Sequence, residues 1–482
     1  MKGARRSKRE EKRADLQAEG ENGGKWTGLV LVQIASRCAT FATNQALLRF
    51  TSPASFGQHA QLELLLQSVL FLSREGCRLT AARRSTDLPT VVALACVATG
   101  VGLGATFACA CVLPFPTRLI MALFALAAAA ELLAEPLIAC TAARMQLRVR
   151  ARCESTALLA KCVVTFAAAW AWHGGVMAFA VGDAAFGMTL LVLYLMAAPS
   201  MVWPRRVSSQ DAWLATTITL QSLFKYVLTQ GDKLLVGLLA SDAEQGMYAV
   251  ASNYGSLLAR LGFQPIEESA RLMYGRLSPA EVCESMTSIL HLYIILGLFA
   301  TALGPSIAPI ALHMVAGDRW QSASDVLSAF AYYIPVLAVN GITEAYIQST
   351  APAADLQRQS AFMVLCSAGF GAAGYVFMKT FQMGAVGLVW ANMFNLGMRS
   401  VWSIRLIHRN LGALHPWPRR GTLTAAAVSA AMARMNSSTL FLALNTVCMV
   451  LVCLALERKL LFAFLQSLVN GDVNRLDGYR LQ

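Results

Sequence analysis

From end to end the sequence is divided into apolar stretches of about 20 residues with short polar connections, the length of α-helix that crosses the roughly 30 Å hydrocarbon layer of a bilayer. About fourteen such segments fit along the 482 residues. Only 14% of the chain is charged, against about 25% in soluble globular domains. The expected fold is therefore an all-α polytopic membrane protein, and no stretch is left over for a separate soluble domain.

The order of the segments divides the chain into lobes. Residues 1–25 form a polar, basic cytoplasmic tail, read as disordered, without the apolar core of a cleavable signal peptide. Segments at 26–48, 58–74, 90–113, 118–140, 157–173 and 176–197 form an N-lobe, residues 26–198. The Pro-, Ser- and Arg-rich stretch 199–211 reads as an inter-lobe linker. Segments at 212–228, 246–276, 286–305, 323–343, 360–379 and 385–407 form a C-lobe, residues 212–408. A basic, proline-bearing loop then leads to a terminal pair at 423–432 and 440–456, within residues 421–456, and to a cytoplasmic tail, 457–482.

The net charge of +13 does not point to nucleic acid, because the basic residues sit in the tails and loops rather than on one patch. Membrane topology accounts for them. With a cytoplasmic N-terminus, most of the 40 Lys and Arg fall on the cytoplasmic side, whereas the opposite loops hold Arg49, Arg118, Lys233, Arg319, Lys379 and Arg434. The twelve cysteines lie mostly inside apolar segments without CxxC or Cys/His ligand spacing, so free buried thiols and no metal or cofactor are expected. No nucleophile and base, metal spacing or nucleotide loop points to an enzyme.

Charge inside the apolar segments carries the functional reading. In 246–276, Asn253, Ser256, Arg260, Gln264, Glu267 and Arg271 recur at steps of three or four, which puts them on one helical face. A lipid-facing arginine at bilayer depth is costly, so this face must line protein or a wet cavity. The first segment has a similar face through Gln33, Arg37, Thr40 and Asn44, read as lining a pathway, with pairing of Arg37 for packing alone as the alternative. The second carries Glu63, Gln67, Arg74 and Arg78 and ends in SREGCR, whose Arg74, Glu75 and Arg78 also fit a solvated helix end. Gln221, Lys225 and Asp232 share a face of the seventh segment, where Gly231 marks an expected interruption.

In ELLAEP, Glu131 and Glu135 stand one turn apart before Pro136. They could relay protons, or bond the basic loop that follows through Arg144, Arg148, Arg150 and Arg152. Lys161 is expected to snorkel to the interface. Asp183, inside an apolar segment, is more unusual.

A short pattern recurs: Glu75–Arg78 and Glu268–Arg271 are both ExxR at the ends of the second and eighth segments. With the linker, this argues for two six-helix lobes related by duplication and a path between them. Facing stripes would gather Arg37, Lys225 and Arg260 around a central cavity, with Glu63 and Asp232 neutralising part of the charge. A phosphate or pyrophosphate group fits the remainder.

The motifs ATNQALLRFTSP, FLSREGCR, ELLAEP, QSLFKYVLTQGDK and GSLLARLGFQPIEES, in this order, strongly resemble the RFT family of endoplasmic-reticulum oligosaccharide translocation proteins, within the multidrug/oligosaccharidyl-lipid/polysaccharide exporter superfamily. The resemblance covers about residues 26–409. It implies fourteen helices in two lobes plus a terminal pair, location in that membrane, and a role in supplying a dolichol-pyrophosphate-linked Man5GlcNAc2 oligosaccharide for N-glycosylation. On this reading Arg37, Lys225 and Arg260 hold the pyrophosphate, and Asn253 and Gln264 contact sugar hydroxyls. Arg74, Glu75 and Arg78, with Glu267, Glu268 and Arg271, form a cytoplasmic gate. Two other readings remain open: an accessory protein binding the lipid-linked sugar or its assembly enzymes, and an ion-coupled exporter of small solutes using Asp183 or Glu63.

Overall fold

A computed structural model of the chain describes residues 45–458 apart from 46, 84–86, 113–116, 145, 172–174, 198–201 and 437. Among the described residues there are fourteen α-helices, two π turns, one 3-10 turn and no strand. Eight helices, two of them counted with the π or 3-10 turn they adjoin, are long and apolar enough to cross a membrane. The others include those bearing the polar stripes.

The chain packs as two compact units, residues up to Tyr226 and residues from Val227. The first contains α1 (Pro53–Arg83), α2 (Leu88–Val112), α3 (Arg118–Ala143), α4 (Leu147–Ala171), α5 (Val176–Ala197) and the first part of α6 (Ser209–Leu239). The second contains the rest of α6, then α7 (Asp242–Gly255), a π turn (Ala259–Phe263), α8 (Gln264–Tyr274), α9 (Pro279–Ala316) and a 3-10 turn (Asp318–Ala323). It continues with α10 (Ser324–Thr350), α11 (Ala353–Tyr375), a π turn (Val376–Thr380), α12 (Gly384–Leu411), α13 (Arg420–Met435) and α14 (Thr439–Leu456).

Two expectations about helix continuity are corrected. Helix α6 runs unbroken through Gly231, since one glycine weakens a helix by only about 1 kcal/mol and does not break it. The stretch 246–276 is not one helix: α7 stops at Gly255 and a π turn intervenes before α8. Pro265 stands at the start of α8, where its missing N–H and fixed φ suit a new helix rather than the interior of an old one.

Helix starts follow local chemistry. Ser241 and Glu244 form a reciprocal capping box at α7, and Ser278 and Glu281 form another at α9, with Pro279 in its first turn. The alanine-rich α3 lets neighbours approach closely, and Leu62, Leu66 and Leu70 of α1 pack with Phe124 and Leu132 of α3 and Val176 of α5. In the second unit Phe263, Met286, Tyr293, Ile342 and Tyr346 form the corresponding core.

Prolines inside helices remove an N–H and so free the carbonyl four residues earlier. Pro136 frees Leu132, and Thr99 of α2 donates its hydroxyl to that carbonyl at 2.8 Å. Pro309 frees Pro305, which accepts from Ser328 of α10 at 3.2 Å. Of the cysteines, Cys77, Cys140, Cys153, Cys162, Cys366 and Cys453 are buried, but Cys96, Cys111 and Cys448 are exposed, which corrects the expectation of buried thiols at those positions.

Candidate functional site

In the second unit the polar stripe is built around the π turn. Asn253, Arg260, Gln264, Glu268 and Arg271 are exposed, and Ser256 and Glu267 are partly buried. The opposite face is anchored: Ala259 and Phe263 are buried, and Tyr293 packs on Phe263 with ring centroids 4.7 Å apart. This fixes the turn while its polar side stays open. Arg260 donates one terminal nitrogen to the carbonyl of Asn253 at 2.8 Å and to its side-chain oxygen at 2.7 Å. It makes no ion pair among the described residues.

Glu267 faces α10 where Gly341 leaves room, since a Cβ there would overlap its carboxylate. Nearby on α10, Glu344 accepts from Arg399 of α12 at 2.9 Å, from Asn340 at 3.2 Å and from Gln348 at 3.0 Å. These residues were missed in the sequence reading. Their signal was present: Asn340, Glu344 and Gln348 repeat every four residues, and Arg399 is the first cation in the apolar run from Gly384.

In the first unit the two glutamates of ELLAEP meet α1. Arg78 grips Glu135 through two nitrogens, at 2.5 and 2.6 Å. Arg74 bridges Glu131 and Glu135, 3.5 Å from each. The partners are thus arginines of SREGCR, 57 residues away for Arg78 and Glu135, and not the basic loop. Nor is SREGCR a helix end, since α1 runs on to Arg83; within it Arg74 is only 12% exposed while Arg78 is 40% exposed. Glu75 is partly buried beside them. Gly76 lets α1 touch α6, because a Cβ there would overlap Thr219 and the carbonyl of Ala215.

A second cluster lies about two to three turns from the start of α1, at His59 and Glu63. Lys161 of α4 pairs with Asp183 of α5 at 2.5 Å rather than snorkelling outward. His59 stacks on Phe179 at 4.2 Å, with its nitrogens 3.9 Å from Asp183 and 3.8 Å from Glu63. The local reading failed for Lys161 because an acid on the next helix offers a better partner than the headgroup region. Arg37 and the side chains of Lys225 and Asp232 lie outside the described residues, so the expected three-cation grouping is not visible as such.

Comparison with known proteins gives a consistent picture. The chain is 32% identical to the Man(5)GlcNAc(2)-PP-dolichol translocation protein RFT1 of Yarrowia lipolytica, over 79% of this chain and 69% of that one. It is 28% identical to the protein of the same name from Saccharomyces cerevisiae, over 80% and 83%. Its fold is similar to that of the lipid II flippase MurJ in an inward closed conformation, with a TM-score of 0.55 at 8% identity, covering 90% of this chain and 99% of that one. The sequence profile of the family described as Rft protein, Rft-1, matches residues 25–469, and the chain belongs to that family.

Proposed function

We propose that this protein moves a dolichol-pyrophosphate-linked Man5GlcNAc2 oligosaccharide across the endoplasmic-reticulum membrane, with its N-terminus cytoplasmic, by alternating access of two lobes. The observation that carries this reading is Arg260. Its guanidinium is exposed on a polar stripe, is held only by Asn253 of the preceding α7, and has no carboxylate partner among the described residues. An exposed cation left without a carboxylate is poised for an anion, and the guanidinium fork suits pyrophosphate oxygens. Arg37 and Lys225 are the further cations proposed for the pyrophosphate, and Asn253 and Gln264 the proposed sugar contacts. The names of the relatives supply the identity of the lipid.

The test uses purified protein in liposomes with a fluorescent pyrophosphate-linked oligosaccharide lipid on one leaflet, following its appearance on the other. Wild type is expected to speed crossing, and Arg260→Ala, alone or with Arg37→Ala, to abolish it while the protein remains folded. Equal crossing with and without protein, combined with retained binding of the lipid, would replace transport by an accessory role alongside the assembly enzymes.

A further inference from the structure

The tetrapeptide Trp-Pro-Arg-Arg occurs twice, at Trp203–Arg206 and at Trp417–Arg420. With 9 Trp and 15 Pro among 482 residues, chance recurrence is a poor explanation. The first copy follows the sixth apolar segment and leads into α6; the second follows the twelfth and leads into α13. Each therefore follows one expected group of six apolar segments in the sequence.

The two copies are also presented alike. The first lies three residues before α6 and the second runs into the first residue of α13, and in both the tryptophan is strongly exposed, 90% for Trp203 and 70% for Trp417. All four arginines are exposed, and none makes an ion pair or side-chain hydrogen bond among the described residues. The backbone of the first arginine is tied down in each case. Arg205 N–H donates to the carbonyl of Pro89 at 3.2 Å, and Arg419 N–H donates to Glu457 at 3.0 Å. The proline fixes the backbone between tryptophan and arginine. A rigid, anchored backbone that leaves an indole and two guanidinium groups uncovered is a surface in search of a partner with both apolar and anionic character.

We propose that the two Trp-Pro-Arg-Arg segments are matched docking sites for anionic phospholipid headgroups of the surrounding leaflet, one on each unit. The indole sits at the headgroup level, where tryptophan is favoured in membrane proteins. The paired arginines take the phosphate oxygens. Charge complementarity selects this occupant, because in the topology proposed above both copies lie on the cytoplasmic side, whose leaflet carries the anionic lipid.

The experiment uses the full chain in detergent, with added phosphatidylinositol, phosphatidylcholine or inorganic phosphate, and reads the melting temperature together with bound lipid by native mass spectrometry. Wild type is expected to retain and be stabilised by phosphatidylinositol and not by phosphatidylcholine. Arg205→Gln with Arg206→Gln, or Arg419→Gln with Arg420→Gln, should each remove roughly half of that shift, and the fourfold variant nearly all of it. The substituted side chains are exposed, so the variants are expected to melt like wild type without lipid. Trp203→Ala with Trp417→Ala should weaken retention in the same direction. An unchanged phosphatidylinositol shift in the fourfold variant, equal stabilisation by phosphatidylcholine, or full stabilisation by inorganic phosphate alone would each overturn the proposal.

Discussion

Replacing Glu135 by alanine tests whether the α1–α3 charge cluster is a buried structural pair. The Glu135 side chain is 1% exposed and is shared by Arg78, at 2.5 Å, and Arg74, at 3.5 Å. Breaking a fully buried pair by removing one partner costs about 3–5 kcal/mol. Here the cost is reduced on both sides. Arg78 is 40% exposed and can be hydrated, and Arg74 keeps Glu131 at 3.5 Å. The expected loss is therefore about 2–3 kcal/mol. For a unit of this size that corresponds to a melting temperature lower by about 4–12 °C. The control is Glu154→Ala, which removes an exposed pair with Arg150 and should cost under about 0.5 kcal/mol. Unfolding in detergent is followed by tryptophan fluorescence at one heating rate. A double-mutant cycle between Arg78→Ala and Glu135→Ala should give a coupling of about 1–2 kcal/mol. Equal shifts for Glu135→Ala and Glu154→Ala, or no coupling in the cycle, would refute the argument.

Three further outcomes can be checked by the same or simpler means. Thr99→Val should destabilise the protein by about 1 kcal/mol through the unserved Leu132 carbonyl, and much less in a Pro136→Ala background, where the helix supplies its own N–H. Gly76→Leu should cost more than about 2 kcal/mol because Thr219 and the Ala215 backbone occupy the space, and Thr219→Ala should recover only part of it. Glu457→Ala removes the acceptor for Arg419 N–H and for the Thr422 hydroxyl, 2.7 Å away. Amides at the start of α13 should then exchange about tenfold faster, while those of α3 keep their rates.

What the sequence revealed and what it hid divide along local and distant interactions. Segment positions were legible because length and hydropathy are local, and the stripe through Asn253, Arg260 and Glu267 because a helical period is local too. The π turn was not legible: one extra residue per turn leaves no mark in composition, and the spacing from Asn253 to Arg260 reads the same in either geometry. The partners of Glu131 and Glu135 were not legible because the nearest arginines in the chain are those of the following loop, whereas close helix packing brings Arg74 and Arg78 from another helix. Lys161 was misread for the same reason. Glu344 and Arg399 were passed over because they lie on two helices where no stripe was sought, although each is costly alone in an apolar segment.

The proline-freed carbonyls have a mechanical side. Where Pro136 interrupts α3, the missing bond is supplied by Thr99 of α2, and where Pro309 interrupts α9, by Ser328 of α10. The turn weakened by proline is thereby tied to the neighbouring helix. Sliding one helix of such a pair past the other would leave that carbonyl without a donor, where no water is available to take its place. Each pair therefore behaves as one stiff strut, and any bending must be taken up elsewhere in the chain.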